Sequence, residues 1–257
     1  MGELTAKRIG SVPYLNSVPL TCGIEAKTEF LTPSRLAKRL RSGELGAGLV
    51  SITEVLFNDL YDVLDGVAVA SDGPVKSVFV AHKKPIEQVE VIHCDTASLS
   101  SVNLLKVTLA KRGLSPRLES FGDYNHAADL DAVLLIGNPG IEFLRLPHEH
   151  QILDLGQAWR EDTGLPFVFA VWAIRRDQHL PGLGQALLQA KQDGLAKLDE
   201  IIASYPEFDA ELRATYLREH IHFDLGDREK QGIAHFVELL QTVTDQTVHE
   251  PKYITEF

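Results

Sequence analysis

Phe167-Val168-Phe169-Ala170-Val171-Trp172-Ala173-Ile174 is an unbroken apolar run. That pattern is the signature of a central strand buried on both faces. Working outward, strands alternate with helices along the chain, which favours an α/β architecture over a β-sandwich or a helical bundle. Towards the N-terminus, strands are expected at Lys7 to Val12, Ala47 to Val50, Val63 to Val69 and Ser77 to His82. A second series follows Lys83-Lys84-Pro85, with strands at Val89 to His93, Arg117 to Phe121 and Ala132 to Ile136. Pro33 to Gly43 reads as a short amphipathic helix with a proline near its start and a glycine stop, and Ser51 to Asn58 as a second helix. Ser98 to Arg112 carries Val102, Leu105 and Leu109 on one helical face. Beyond Pro181 the spacing turns helical over Gly182 to Ser204 and Arg228 to Thr244, with Asp209 to Arg218 between them.

No low-complexity linker marks a domain boundary. Two lobes would have to be joined by strands near 83 and 174. The expected division is residues 1–83 plus 175–257 for the first lobe and 84–174 for the second, with a hinge and an interlobe cleft.

The 257 residues, 44% of them hydrophobic, suffice for a full core. A formal net charge of −11 argues against a nucleic-acid surface, which needs clustered Lys and Arg. The opening stretch MGELTAKRIGSV has no apolar signal region, and no apolar run approaches the ~20 residues that span a bilayer, so no membrane role and a cytoplasmic location are expected. Cys22 and Cys94 read as small buried hydrophobes. His148/His150 and His220/His222 form two HxH pairs, but neither has a third ligand at recognisable spacing, so no metal is expected. GxSxG, GxxxxGK[ST], HExxH and a Gly-rich dinucleotide loop are all absent, which removes the commonest hydrolase and nucleotide chemistries.

Pro13-Tyr14-Leu15-Asn16-Ser17-Val18-Pro19-Leu20 is bracketed by prolines and reads as a rigid loop after the first strand, where α/β proteins place ligand contacts. With Arg8 to Val12 before it, this segment resembles the opening motif of the chorismate dehydratases. Leu49-Val50-Ser51, Asp72-Gly73-Pro74-Val75-Lys76-Ser77-Val78 and Thr163-Gly164-Leu165-Pro166-Phe167-Val168-Phe169-Ala170-Val171-Trp172 agree in order and spacing. The resemblance implies a type II periplasmic-binding-protein-like fold and cofactor-independent loss of water from chorismate, giving 3-[(1-carboxyvinyl)oxy]benzoate on the futalosine route to menaquinone. The substrate is then a small molecule, chorismate or a similar carboxylate; a homodimer stays open.

The resemblance places Asn16 and Ser77 in the active site. Asn16 orients the leaving hydroxyl or holds the enolpyruvyl carboxylate; the bland alternative is a turn stabiliser. Ser77 donates to a carboxylate or relays a proton, or else simply bonds backbone. Tyr14, in the same opening motif, is expected to touch substrate. Thr96-Ala97-Ser98-Leu99-Ser100-Ser101 precedes a helix, where free N–H groups and the helix dipole make a carboxylate seat, so Ser98, Ser100 and Ser101 are candidate substrate contacts. The family pattern has Arg where Leu99 stands, and Asp and Ala where Asn138 and Pro139 stand. Asn138 is retained as a candidate contact, and Lys76 is a candidate replacement for the missing charge. Trp159, Trp172, Phe167 and Phe169 either wall the cleft or fill the core. No Asp, Glu or His immediately flanks Asn16 or Ser77, so a carboxylate of the substrate is a candidate base. A non-catalytic carboxylate binder and the related cyclase of the same pathway are the competing readings.

Overall fold

The computed structural model describes residues 9–95, 99–178 and 181–255. Its first sheet opens with β1 (Ile9–Ser11), β2 (Thr28–Phe30), β3 (Ala47–Ser51) and β4 (Tyr61–Ser71). Its second is built from β5 (Val78–His82), β6 (Val91–Asp95), β7 (Arg117–Phe121), β8 (Ala132–Ile136) and β9 (Gln151–Asp154). The chain then returns through β10 (Phe167–Arg175), and β11 (Tyr253–Ile254) pairs in parallel with β4 at the edge.

The two sheets share one plan. The first runs β2-β1-β3-β10-β4-β11 and the second β7-β6-β8-β5-β9. In each, the fourth position is taken by a strand from a crossing segment, antiparallel to both neighbours: β10 between β3 and β4, β5 between β8 and β9. This corrects the expected division of the chain at both ends. Val78–His82, expected in the first lobe, pairs in the second sheet, and Phe167–Arg175, expected to close the second lobe, lies inside the first. Both strands are apolar up to their last residues, His82 and Arg175, and nothing local in such a strand says which sheet will accept it.

The apolar run that opens β10 is the centre of the first sheet. Trp172 and Val171 are fully buried, and Trp159 and Phe167 stand edge to face within the same core, with the Trp159 Nε1–H donating to the Pro166 carbonyl at 3.1 Å. Helices cover the sheets: α1 (Pro33–Arg41), α2 (Ile52–Phe57), α3 (Leu99–Lys111), α4 (Gly137–Arg145) and α5 (Leu155–Thr163). The C-terminal part supplies α6 (Leu183–Ala196), α7 (Leu198–Ser204), α8 (Ala210–Thr215), a single π-helical turn at Tyr216–His220, and α9 (Asp227–Gln241). The expected helix over residues 182–204 is therefore two helices that meet at Lys197. The expected loop at Pro13 to Leu20 is two turns of 3-10 helix over Leu15–Leu20, closed by Ser17 Oγ–H donating to the carbonyls of Val12 and Tyr14. Strand β9 and helix α5 were not anticipated. Among the described residues, no helix is long and apolar enough to cross a membrane.

Candidate functional site

The strands deliver their loops to a cleft between the sheets, a cavity of about 100 Å3 with room for several waters. Asn16 reaches it from the 3-10 segment and Tyr14 from the residue before it, Ser51 from the end of β3, Ser77 from the turn before β5, and Phe169 from β10. The N-terminal ends of α3 (Leu99, Ser100, Ser101) and α4 (Gly137) line it as well. Two helix N-termini aimed at one cavity favour a bound anion. No Asp, Glu, Lys, Arg or His stands among the described residues that line it.

Asn16 and Ser77 are brought together by a residue that the sequence reading missed. The Tyr216 hydroxyl donates to Ser77 Oγ at 2.8 Å and accepts from Asn16 Nδ2 at 3.3 Å. Tyr216 opens the π-helical turn and is buried, and burial pushes its phenol up to about 12 even though the bonds to Ser77 and Asn16 pull the other way. Its hydroxyl is therefore neutral at ordinary pH. A π-helical turn at a site is a recurrent functional signal, but this one is not legible in Tyr216-Leu217-Arg218-Glu219-His220 alone.

The turn before Ser77 is held by Asp154. This carboxylate caps α5 by accepting from the Gln157 N–H at 3.0 Å, and it also accepts from the N–H groups of Val75 (3.1 Å) and Lys76 (2.8 Å). Lys76 adopts a left-handed φ of 60° and is exposed, and it is not among the cleft-lining residues. Asp72, in the same turn, pairs with Arg160 and Arg228.

Ser100 and Ser101 both line the cleft. Ser100 is largely committed to structure: its hydroxyl meets those of Ser51 and Thr53 and donates to the Phe169 carbonyl at 3.2 Å, joining α3 to the first sheet. Ser101 is buried and free of such bonds to other described residues. Ser98 lies outside the described residues. Tyr14 packs its ring on Gly137, whose φ of +58° favours glycine and where an added Cβ would stand only 3.2 Å from that ring.

Asn138 does not line the cleft. Its Oδ1 accepts from the Leu15 N–H at 3.2 Å, while its Nδ2 donates to the Tyr205 hydroxyl at 3.3 Å and to Glu207. The expected ligand contact is instead a brace between α4 and the first lobe. Of the four aromatics considered, Phe169 lines the cleft, and Trp159, Phe167 and Trp172 are core. His148 stacks on Phe143 with ring centroids 4.9 Å apart, and His222 meets Glu229 at 3.1 Å. Among the described residues, no three His, Cys, Asp or Glu side chains gather as a metal site. Cys94 is buried and Cys22 half-buried.

The profile of the menaquinone biosynthesis family matches residues 7–242. The chain belongs to this family. It is also similar to the chorismate dehydratase of Thermus thermophilus, 35% identical over 217 residues, which cover 74% of this chain and 80% of that protein. Solved structures extend the likeness to the fold. A protein from Archaeoglobus fulgidus superposes with a TM-score of 0.72 at 18% identity, covering 91% of this chain and 96% of the other. The periplasmic aliphatic sulphonate binding protein of Escherichia coli gives 0.65 at 16% identity, covering 99% and 95%. The two-sheet menaquinone biosynthesis family member thus has the periplasmic-binding-protein-like fold that the opening motif implied.

Proposed function

We propose that this protein is a chorismate dehydratase acting in the cytoplasm on the futalosine route to menaquinone. The observation that carries the reading is the convergence of Asn16 and Ser77 on a cleft walled by two helix N-termini and lined by amide and hydroxyl groups. The family membership and the dehydratase relative support it.

The reaction needs what such a cleft offers. Removing the proton from the ether-bearing ring carbon of chorismate spreads negative charge toward the conjugated ring carboxylate. Loss of hydroxide from the neighbouring carbon then aromatises the ring to 3-[(1-carboxyvinyl)oxy]benzoate, with one water released. Fixed geometry and hydrogen-bond donors at the ring carboxylate stabilise the charged intermediate. In this reading the N–H groups at the start of α3 and the hydroxyls of Ser77 and Ser101, which line the cleft, serve as those donors, and the Asn16 amide holds the leaving hydroxyl or the enolpyruvyl carboxylate. Leu99 makes its part of the wall apolar, so neutral donors rather than a guanidinium hold the dianion there. With no basic side chain among the described residues that line the cavity, the base in this reading is one of the substrate's own carboxylates.

Incubation of the purified protein with chorismate, followed by chromatography and mass spectrometry, tests this directly. The aromatic ether, lighter than chorismate by one water, is the expected product. Binding without turnover would make the protein a carboxylate binder instead.

A further inference from the structure

We infer that Tyr216 is a positioning residue for this site, resting on the reading of Asn16 and Ser77 just proposed: its hydroxyl, held between their side chains, fixes Ser77 as a hydrogen-bond donor to the ligand.

The argument is one of counting protons. A phenol has one hydrogen to give and lone pairs to accept with, an amide nitrogen can only donate, and a serine hydroxyl can do either. Because Asn16 Nδ2 donates to the Tyr216 oxygen, the tyrosine's own proton must go elsewhere, and Ser77 Oγ lies 2.8 Å away. Ser77 therefore receives, and its proton is turned away from Tyr216. Among the described residues the Ser77 hydroxyl makes no other hydrogen bond, and the cavity it lines is the remaining direction. A serine so placed presents a donor to an incoming carboxylate before that carboxylate arrives, which is preorganisation at the cost of one buried phenol.

The location supports a dedicated role. Tyr216 is 200 residues from Asn16 and 139 from Ser77 along the chain. Asn16 belongs to the first lobe and Ser77 stands where the chain enters the second, so the chain of hydrogen bonds crosses the seam. A π-helical turn carries the tyrosine there. Burial keeps the phenol protonated far above neutral pH, so the direction of the chain does not reverse in the working range.

Tyr216→Phe keeps the ring and removes only the hydroxyl. In an otherwise wild-type protein, kcat/KM for chorismate should fall tenfold or more. In the Ser77→Ala background, the same change should cost less than twofold, because there is no serine left to orient. A merely structural tyrosine would lower both by the same factor, and equal losses overturn the inference, as does a wild-type rate for Tyr216→Phe. A second readout is independent of turnover. In protein labelled at its six tyrosines, the Tyr216 hydroxyl proton should exchange slowly with water and shift or lose its protection in Ser77→Ala. An unchanged resonance in Ser77→Ala sinks the inference even if the protein turns over chorismate. An inert wild type with the expected proton behaviour sinks the dehydratase reading alone.

Discussion

The backbone N–H of Lys76 donates to the Asp154 carboxylate at 2.8 Å, tying the residue before Ser77 to the end of β9, 78 positions later. Asp154 does three jobs with two oxygens, because it also holds Val75 and caps α5. Asp154→Ala should cost about 2–3 kcal/mol in denaturant unfolding, from a lost cap and the charge-assisted bonds to the N–H groups of Val75 and Lys76. It should also reduce turnover of chorismate at least tenfold by releasing Ser77. Lys76→Gly, which relieves a left-handed residue, should leave activity intact and shift stability by no more than about 1 kcal/mol, upward if strain dominates.

The neighbouring serines of α3 should separate structure from binding. Ser100→Ala removes a hydroxyl shared with Ser51, Thr53 and the Phe169 carbonyl, and should lower stability by about 1–3 kcal/mol. Ser101→Ala should leave the unfolding midpoint unchanged and raise KM for chorismate several-fold. Equal effects of the two substitutions on both measurements would show that the division of labour is wrong.

Gly194 lies where α6 touches the 3-10 segment that carries Asn16. A Cβ there would stand 1.9 Å from the Pro19 carbonyl oxygen, an impossible approach to backbone. Gly194→Ala should therefore push the segment away and destabilise the fold by about 1–3 kcal/mol or more. Thermal unfolding together with kcat/KM checks this; a variant with both unchanged would mean that the segment yields freely.

Two histidines give stability a dependence on pH. Burial is the main cause that lowers both His150 and His220 below the ordinary histidine value of 6.5. Both are then neutral in the folded protein when the unfolded chain already binds protons. Stability is full above about 6.5 and falls as pH drops through and below it, until the folded histidines also titrate. The lowered carboxylates, Asp59, Asp131, Asp177 and Asp209, act in a separate window below 3.8. Melting temperatures recorded from pH 7.5 to 5.5 should decline, and His150→Gln should decline less. A flat profile in the wild type would contradict the buried, neutral assignment.

The elements were legible where the pattern is local. Phe167 to Ile174 reads as a strand, Pro33 to Gly43 as a capped helix, and both are present. Sheet membership was not legible, because β5 and β10 look alike in sequence while their partners lie on opposite sides of the chain crossing. Gln151–Asp154 escaped notice because its faces are exposed or half-buried and carry no alternation, and α5 because Gly156 and Thr163 weaken its helical signal. At the site, Asn16, Ser77, Ser100 and Ser101 were read from motifs and do reach the cleft. Asn138 stands outside the cleft lining: an asparagine at a helix start has the same appearance whether it faces a ligand or, as here, Leu15 and Tyr205. Tyr216 had no signal at all, since its partners are brought to it only by the fold.

The insertion of β10 between β3 and β4 has a consequence for the nascent chain. A ribosome finishes β4 at Ser71 and does not begin β10 until Phe167, roughly 5–20 s later at ordinary elongation rates. During that interval β3 and β4 have unsatisfied edges, the kind of template on which chains aggregate, while the second sheet, continuous from Val78 to Asp154, receives all of its strands before β10 begins. Synthesis begins with one half of this molecule, but the other half is the first able to close.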